Sequence, residues 1–311
     1  MTLPPSRLDD LVTRAASGPR LVAAIAHACD DGVLAAAAEA AGLGFIEPIL
    51  VGPQAKLEAA AKAAGIDISS FRIVATAHSH ASAAEAVRLV RSGEAELLVK
   101  GSLHTDELMG EVVSAETGLR TERRLSHVFV IDLASYPRLL LITDAAVNIT
   151  PTLEEKRDIV QNAIDLAQAI GVARPKVAIV SAVETVTSKL PSTLDAAALC
   201  KMAERGQITG GDLEGPLAFD NAVSVEAARE KGIGGDVAGQ ADIVVVPDLE
   251  AGNMLAKQLT FLAGAESAGI VLGARVPIAL TSRADSTKAR VASLALAALL
   301  AEHRRRQAKV A

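Results

Sequence analysis

The clearest strand-to-helix transition in this sequence reads Gly269-Ile-Val-Leu-Gly-Ala-Arg-Val-Pro-Ile-Ala-Leu280, followed by Thr281-Ser-Arg-Ala-Asp-Ser286. The first part is an apolar run, which is typical of a strand buried on both faces of a parallel sheet. A long helical pattern follows the polar part and ends near Glu302. A buried strand that leads through a polar turn into a helix is the repeating unit of an α/β fold.

The same alternation recurs along the whole chain and indicates an α/β fold with a mostly parallel sheet. Strands are predicted at 21–25, 46–51, 72–75, 97–99, 127–132, 139–143, 177–181, 243–246, 269–272 and 277–280. Helices are predicted at 33–41, 54–64, 82–91, 153–170, 223–231 and 253–263. One pair of runs, 125–132 and 139–144, is joined by a short turn at Tyr136-Pro137-Arg138 and is predicted to be antiparallel.

The length of 311 residues favours two domains over a single core. Thr152 and Glu155 form a capping-box pattern at the start of a long helix, which suits a crossing between domains. The last helix is expected to return to the first domain. The predicted domains are therefore a discontinuous first one, 1–147 plus 282–311, and a second one, 148–281.

Composition excludes several classes of function. The net charge of −6 and the aromatic content of 2% argue against a general nucleic-acid binder. Cys29 and Cys200 are too few and too far apart for a disulfide framework or a zinc site. No apolar run approaches the ~20 residues of a membrane span, and the N-terminus lacks an apolar signal core. We expect a cytoplasmic protein that binds no metal, membrane or nucleic acid.

The segment 281–286 is the first candidate site. A helix N-terminus offers free N–H groups and a partial positive charge, and Arg283 adds a planar fork suited to phosphate or carboxylate. Ser282 and Asp285 have capping-box spacing, so a purely structural cap is the alternative. The two interpretations are compatible, because capped helix starts often bind anions.

A second strand-to-helix junction lies at 99–106, where Lys100 and Ser102 follow an apolar run. Ligands of open α/β sheets sit at the carboxyl ends of strands, although a plain helix cap is an equal alternative. Asn253 follows a further junction of this kind, at 247–253.

Three arginines, Arg120, Arg123 and Arg124, precede the strand that contains His127. They suit either a solvated surface or a clamp for phosphate oxygens. The segment 212–221, with Gly215-Pro216, is predicted to be a fixed turn. Walker, G-x-G-x-x-G, H-E-x-x-H and G-x-S-x-G motifs do not occur.

Taken together, several segments resemble the phosphate acetyltransferase / phosphate butyryltransferase family, and more closely its butyryl branch. The resemblance runs from about Val99 to Leu300, and a weaker similarity is present at 44–52. It is carried in order by Val99-Lys-Gly101, Leu125-Ser-His-Val128, Thr143-Asp-Ala-Ala-Val-Asn148, Pro151-Thr-Leu153, Gly215-Pro-Leu217 with Asp220, Leu249-Glu-Ala-Gly-Asn253 and Thr281-Ser-Arg-Ala-Asp-Ser286.

The resemblance implies two α/β domains with mostly parallel sheets flanking a cleft, similar to isocitrate/isopropylmalate dehydrogenases. It implies a homo-oligomer, either a dimer or a multiple of dimers. The family reaction converts acyl-CoA and inorganic phosphate into acyl phosphate and free CoA. CoA is a substrate, and no permanently bound cofactor is expected.

The resemblance also assigns roles to residues. Ser282 matches the family serine near the thiol, and Arg283 matches the arginine that binds the phosphoryl group. Asp285 completes the expected catalytic set. The expected substrate-binding residues are Lys100, Ser102, Arg120, Arg124, His127 and Asn253.

One departure from the family pattern concerns the base for the CoA thiol. Ala289 stands where the acetyl branch has an aspartate, seven residues after the motif serine. Asp285, His104, His127, substrate phosphate or water remain as proton acceptors. An arginine near the family's N-terminal start is not apparent either, since Asp30-Asp31-Gly32 occupies that region. Both departures favour a longer-acyl or atypical member over a standard acetyl enzyme.

Two rival functions come from other classes. One is a metal- and NAD-dependent dehydrogenase of related architecture, which would require a cluster of aspartates. The other is a non-catalytic protein that binds CoA or acyl phosphate and has lost the chemistry.

Overall fold

The structure is a computed structural model that describes residues 6–282 and 284–310, apart from the side chains of 309 and 310. The strands, in chain order, are β1 Leu21–Ala26, β2 Ile46–Gly52, β3 Arg72–Ala75, β4 Leu97–Lys100, β5 Ser126–Asp132, β6 Leu140–Thr143, β7 Lys176–Val180, β8 Asp212–Leu217, β9 Ile243–Val245, β10 Glu266–Leu272 and β11 Ile278–Ala279.

The helices are α1 Arg7–Ala16, α2 Asp31–Gly42, α3 Gln54–Ala64, α4 Ser79–Arg91, α5 Thr105–Val113, α6 Leu153–Ala169, α7 Pro191–Glu204, α8 Phe219–Val223, α9 Val225–Glu230, α10 Leu249–Leu262 and α11 Thr287–Val310. The predicted mixed α/β fold is therefore confirmed. Among the described helices, none combines the length and the apolar character that a membrane crossing requires.

Contacts divide the chain into two compact units. The terminal unit comprises Leu8–Arg123 and the segment that begins at Ala268. The central unit comprises Arg124–Ser267 with Ser6 and Arg7. These bounds differ from the predicted boundaries at 147/148 and 281/282.

Hydrogen-bonded strand ladders explain the difference. The antiparallel β5–β6 hairpin joins the central unit because β6 pairs with β9 of that unit. Likewise, β11 pairs with β4 and so belongs to the terminal unit. The predicted boundary placed the crossing between the two domains at the long helix α6. Pairings between strands that are distant in sequence are not contained in a local sequence pattern.

The strand order in the terminal unit is β3-β2-β1-β4-β11-β10. All its neighbouring strands run parallel except β10 and β11. The order in the central unit is β5-β6-β9-β7-β8, again with a single antiparallel pair. The predicted mostly parallel pairing and the predicted hairpin are both confirmed.

The predicted turn around Gly215-Pro216 is wrong, because these residues lie inside β8. Strand β8 stands at the end of the order in the central unit, where a proline without an N–H is tolerated. Gly215 also packs closely, since an added Cβ would lie 2.7 Å from the Ile179 carbonyl oxygen. The Gly215-Pro216 pair, which predicted a turn, instead belongs to a tightly packed strand at the end of the strand order.

Candidate functional site

The segment between β11 and α11 forms a closed turn before the helix begins. The Ser282 N–H donates to an Asp285 carboxylate oxygen at 2.7 Å. The Asp285 N–H donates back to the Ser282 carbonyl at 3.2 Å. The Ser282 side chain is exposed, while its hydroxyl oxygen accepts the Ala284 N–H at 3.3 Å. Arg283, the predicted phosphoryl-binding residue, lies outside the described residues.

The interpretation of Ser282 as the helix cap is wrong. Helix α11 begins at Thr287, and the Ser286 hydroxyl accepts the Ala289 N–H at 3.2 Å. Ser282 and Asp285 instead close the turn that precedes the helix. Because the Asp285 carboxylate holds the Ser282 N–H, its clearest role in this geometry is to position Ser282.

Lys100 lies beside this turn because β4 and β11 are parallel neighbours. Val99 pairs with Ala279, so the carboxyl ends of both strands reach the same edge of the sheet. The Lys100 ammonium lies 3.5 Å from the Thr281 carbonyl oxygen, and the residue is only 5% exposed. The structure therefore brings together two segments that were predicted separately.

A small cavity lies under this edge. Lys100, Thr281 and Arg290 provide its polar lining, and its volume is about 10 Å³, close to the space of a single water molecule. Its apolar lining consists of Ile25, Val33, Ala36, Ala37, Val99, Ala279 and Leu294. This edge of the terminal unit thus places two cationic side chains beside one threonine.

Gly101 and Ser102 hold the end of β4 against the end of β1. The Gly101 N–H donates to the Ala26 carbonyl at 2.9 Å, and the Ser102 hydroxyl donates to the His27 carbonyl at 2.8 Å. The predicted binding residue Ser102 therefore has a structural contact of its own. Arg120 is exposed and forms an antiparallel bridge with Ala274.

The remaining predicted residues belong to the central unit. The Arg124 Nε donates to the Asn148 side-chain oxygen at 2.6 Å, and its Nη1 lies 3.1 Å from Glu155. Half of the Arg124 side chain remains exposed, at 50%. The Asn253 amide donates to the Ala145 carbonyl at 3.1 Å.

His127 is fully buried, with its ring edge-on to Phe129 at a centroid distance of 4.4 Å. Its carbonyl oxygen accepts the Thr143 hydroxyl at 2.9 Å, within the β5–β6 pair. This burial places the imidazole in the core of the central unit. Its predicted part in substrate binding or proton transfer stays a prediction.

Asp144 and Asn148 were given no role by the sequence, although they organise this part of the central unit. The buried Asp144 carboxylate accepts the N–H groups of Ala146 and Val147 at 3.0 and 3.1 Å, and also the Asn148 amide. Burial raises the pKa of Asp144, while these hydrogen bonds act in the opposite direction. Asn148 in turn fixes Arg124. The available signals were a carboxylate directly after an apolar strand and the place of both residues in the 143–148 segment of the family resemblance.

Comparison with known proteins identifies the family to which this geometry belongs. The family described as phosphate acetyl/butaryl transferase matches residues 75–298. The chain belongs to this family. The match includes all of the predicted site residues and confirms the predicted family. The predicted closeness to the butyryl branch stays a prediction.

Individual relatives support the same assignment over almost the whole chain. The phosphate acetyltransferase of Rhizobium meliloti is 63% identical and covers 99% of this chain and 97% of its own length. The phosphate butyryltransferase of Clostridium acetobutylicum is 43% identical and covers 94% and 97%. A branched-chain phosphotransacylase from Enterococcus faecalis V583 matches with a TM-score of 0.80 at 33% identity, covering 91% of this chain and 99% of that chain.

Proposed function

We propose that this protein is a phosphate acyltransferase that moves a short acyl group, acetyl to butyryl, between CoA and inorganic phosphate. The observation that carries this proposal is the 63% identity to a phosphate acetyltransferase over 99% of the chain. In the forward direction a phosphate oxygen bonds to the acyl carbon and the carbon–sulfur bond breaks. The products are acyl phosphate and CoA, whose thiolate takes up a proton.

The terminal unit supplies the electrostatic part of this reaction. A dianionic phosphate and a developing carbonyl oxyanion both require positive charge or N–H donors in a fixed position. Lys100 and the N-terminal end of α11 provide that potential at one sheet edge. Ser282 projects from the closed turn toward solvent, and Arg283 follows it directly in sequence.

The central unit is proposed to contribute Arg124 and Asn253 to substrate binding. Asn148 and Glu155 hold one side of the Arg124 guanidinium, which restricts its rotation before substrate arrives. A preorganised guanidinium loses less entropy when it clamps a phosphate group of CoA or the acyl phosphate. Arg120, Ser102 and His127 complete the proposed set.

Further features follow from the family. We propose that the two α/β domains flank a cleft, as in isocitrate/isopropylmalate dehydrogenases, and that the enzyme works in the cytoplasm as a dimer or a multiple of dimers. Its proposed partners are acyl-CoA, inorganic phosphate and acyl phosphate, without a permanent cofactor, a metal, a membrane or nucleic acid. Family membership disfavours the dehydrogenase alternative.

Acyl length is tested by an initial-rate series. The relative of higher identity is named for acetyl transfer and the relative of lower identity for butyryl transfer, so we expect acetyl-CoA to be a good substrate. Purified protein is mixed with two- to four-carbon acyl-CoAs, with and without phosphate, and free thiol is followed. Phosphate-dependent release with at least one substrate is expected. Binding of CoA with no release across the whole series would support the non-catalytic alternative instead.

Neither cysteine thiol is expected to take part in the acyl-transfer reaction. Burial raises the pKa of Cys29, and burial together with Glu214 and Glu204 raises the pKa of Cys200 to about 11. Near neutral pH a thiol with that pKa is on the order of 0.01% thiolate, so it is a poor nucleophile. The double variant Cys29→Ala/Cys200→Ala should keep most of the wild-type kcat. A ping-pong pattern that disappears in this variant would show an acyl-cysteine intermediate and contradict the prediction.

A further inference from the structure

Arg290 reaches back from the first turn of α11 to the turn that contains Ser282. Its Nη2 lies 3.1 Å from the Ser282 carbonyl oxygen, and its Nε lies 3.3 Å from the Asp285 carbonyl oxygen. Its Nη1 lies 3.5 Å from the Thr281 hydroxyl. One guanidinium therefore spans the segment on which the proposed chemistry depends.

The hydrogen bonds of Ser282 show what this contact achieves. Asp285 holds the N–H of Ser282 with its carboxylate, and Arg290 holds the carbonyl of Ser282. The peptide groups on both sides of the Ser282 Cα are thus fixed. Because the backbone is held on both sides, the direction of the Ser282 Cα–Cβ bond is set, and the Ala284 N–H contact at 3.3 Å restrains the hydroxyl oxygen. The carbonyl that Arg290 holds belongs to the peptide that leads into Arg283.

Arg290 carries its positive charge at the end of α11 where the helix dipole is also positive. A cation in the first turn of a helix opposes the helix dipole, which favours anions at that end. The residue is also only 8% exposed, and burying a guanidinium costs hydration energy. Lys100 adds a second buried cation next to Thr281. Both charges add positive potential where an anionic substrate is proposed to bind, against the negative charge of the neighbouring Asp285 and Asp30 carboxylates.

We propose that Arg290 is a positioning residue for the Ser282 turn and that its charge strengthens the attraction of that turn for the phosphoryl group. This inference rests on the proposed phosphate acyltransferase function. It assigns to Arg290 no contact with the reacting atoms. Its effect should therefore appear mainly in kcat, through the orientation of Ser282 and the residue that follows it, and more weakly in the KM for phosphate.

The test compares Arg290→Met and Arg290→Lys with the wild type. A loss of orientation of about 1 Å can lower a rate on the order of 100-fold, and we expect Arg290→Met to approach that loss in kcat. Arg290→Lys keeps the charge but loses the planar fork. Its kcat should therefore lie between those of Arg290→Met and the wild type, and its KM for phosphate should stay close to the wild-type value. Arg304→Met is the matched control, since Arg304 lies on the same helix and also donates to a backbone carbonyl, that of Ala274 at 3.2 Å.

Chemical rescue separates positioning from a general structural role. The shortened side chain of Arg290→Ala would enlarge the cavity that Arg290 lines, and added millimolar guanidinium chloride should recover several-fold of the lost kcat there. The same salt should not stimulate the wild type or Arg304→Met. Thermal unfolding of every variant shows which fraction is folded at the assay temperature.

Three outcomes would overturn the inference. The first is a kcat equal to that of an active wild type in both Arg290→Met and Arg290→Lys. The second is a loss of activity that matches the unfolded fraction. The third is a folded Arg290→Ala variant whose kcat does not rise when guanidinium chloride is added. If the wild type itself shows no phosphate-dependent thiol release, the proposed function fails, and that result is distinct from the other three.

Discussion

Arg283→Ala is expected to lower the rate of phosphate-dependent acyl transfer about 100-fold, which is the typical loss when one electrostatic stabiliser is removed from a preorganised site. The physical reason is the charge on the phosphoryl group, which the guanidinium would bind in a bidentate manner. Steady-state kcat and kcat/KM for phosphate and for acetyl-CoA measure the effect. The loss should appear in kcat/KM for phosphate more than for acetyl-CoA.

The matched control for this variant is Arg205→Ala. Arg205 is exposed and lies at the end of α7 in the central unit, and it is not among the proposed site residues. It should retain wild-type kinetics and stability. Near-native kinetics in a folded Arg283→Ala would remove Arg283 from the site and leave Ser282 and Lys100 as its main proposed elements.

Gly101→Ala should strongly destabilise the terminal unit. A Cβ at this position would lie 2.2 Å from the Ala26 carbonyl oxygen and 2.5 Å from the His27 carbonyl oxygen. Both are backbone atoms that cannot rotate away, so the ends of β1 and β4 must separate. We expect a loss of at least about 3 kcal/mol in the free energy of unfolding, at the upper end for overpacking. Activity should fall as well, because Lys100 and Ser102 flank the displaced residue.

Gly110→Ala provides the control for the same chemical change. Gly110 lies in α5, and in the described part of the chain no atom beyond its chain neighbours and its own helix backbone lies within 4 Å of the added Cβ. Alanine in a helix interior is favoured over glycine by about 0.5–1 kcal/mol, so this variant should be slightly stabilised. Denaturant unfolding of the three proteins measures both effects. A Gly101→Ala protein as stable as the wild type would show that this backbone edge is looser than the geometry indicates.

Local sequence patterns were sufficient for most of the fold. Buried strands such as β1 and β4 are continuous apolar runs, and the capping box of Thr152 and Glu155 marked the start of α6 correctly. These signals depend on neighbours in sequence. Strand β8 was missed because Gly215-Pro216 carries a strong local turn signal, which its packing at the end of the strand order overrides. The unit boundaries depend on ladders between distant strands, which no local pattern contains.

In the candidate site, too, local patterns identified some residues, and contacts between distant residues determined the others. Ser282 and Lys100 were identified from strand-to-helix junctions, because functional groups collect at the carboxyl ends of parallel strands. Arg290 was missed, since its importance comes from a side chain that turns back toward Ser282 and Asp285. Asn148 was missed as a support for Arg124 for a similar reason, because the two residues are brought together only by the fold.

The proposed acyl transfer is tested most directly by measuring both products in one reaction. The wild-type protein is incubated with acetyl-CoA and labelled inorganic phosphate, and free thiol and labelled acyl phosphate are quantified over time. Transfer to phosphate predicts that the two products form in equal amounts and that both require phosphate. Thiol release without labelled acyl phosphate would mean hydrolysis of the thioester, and it would contradict the proposed function.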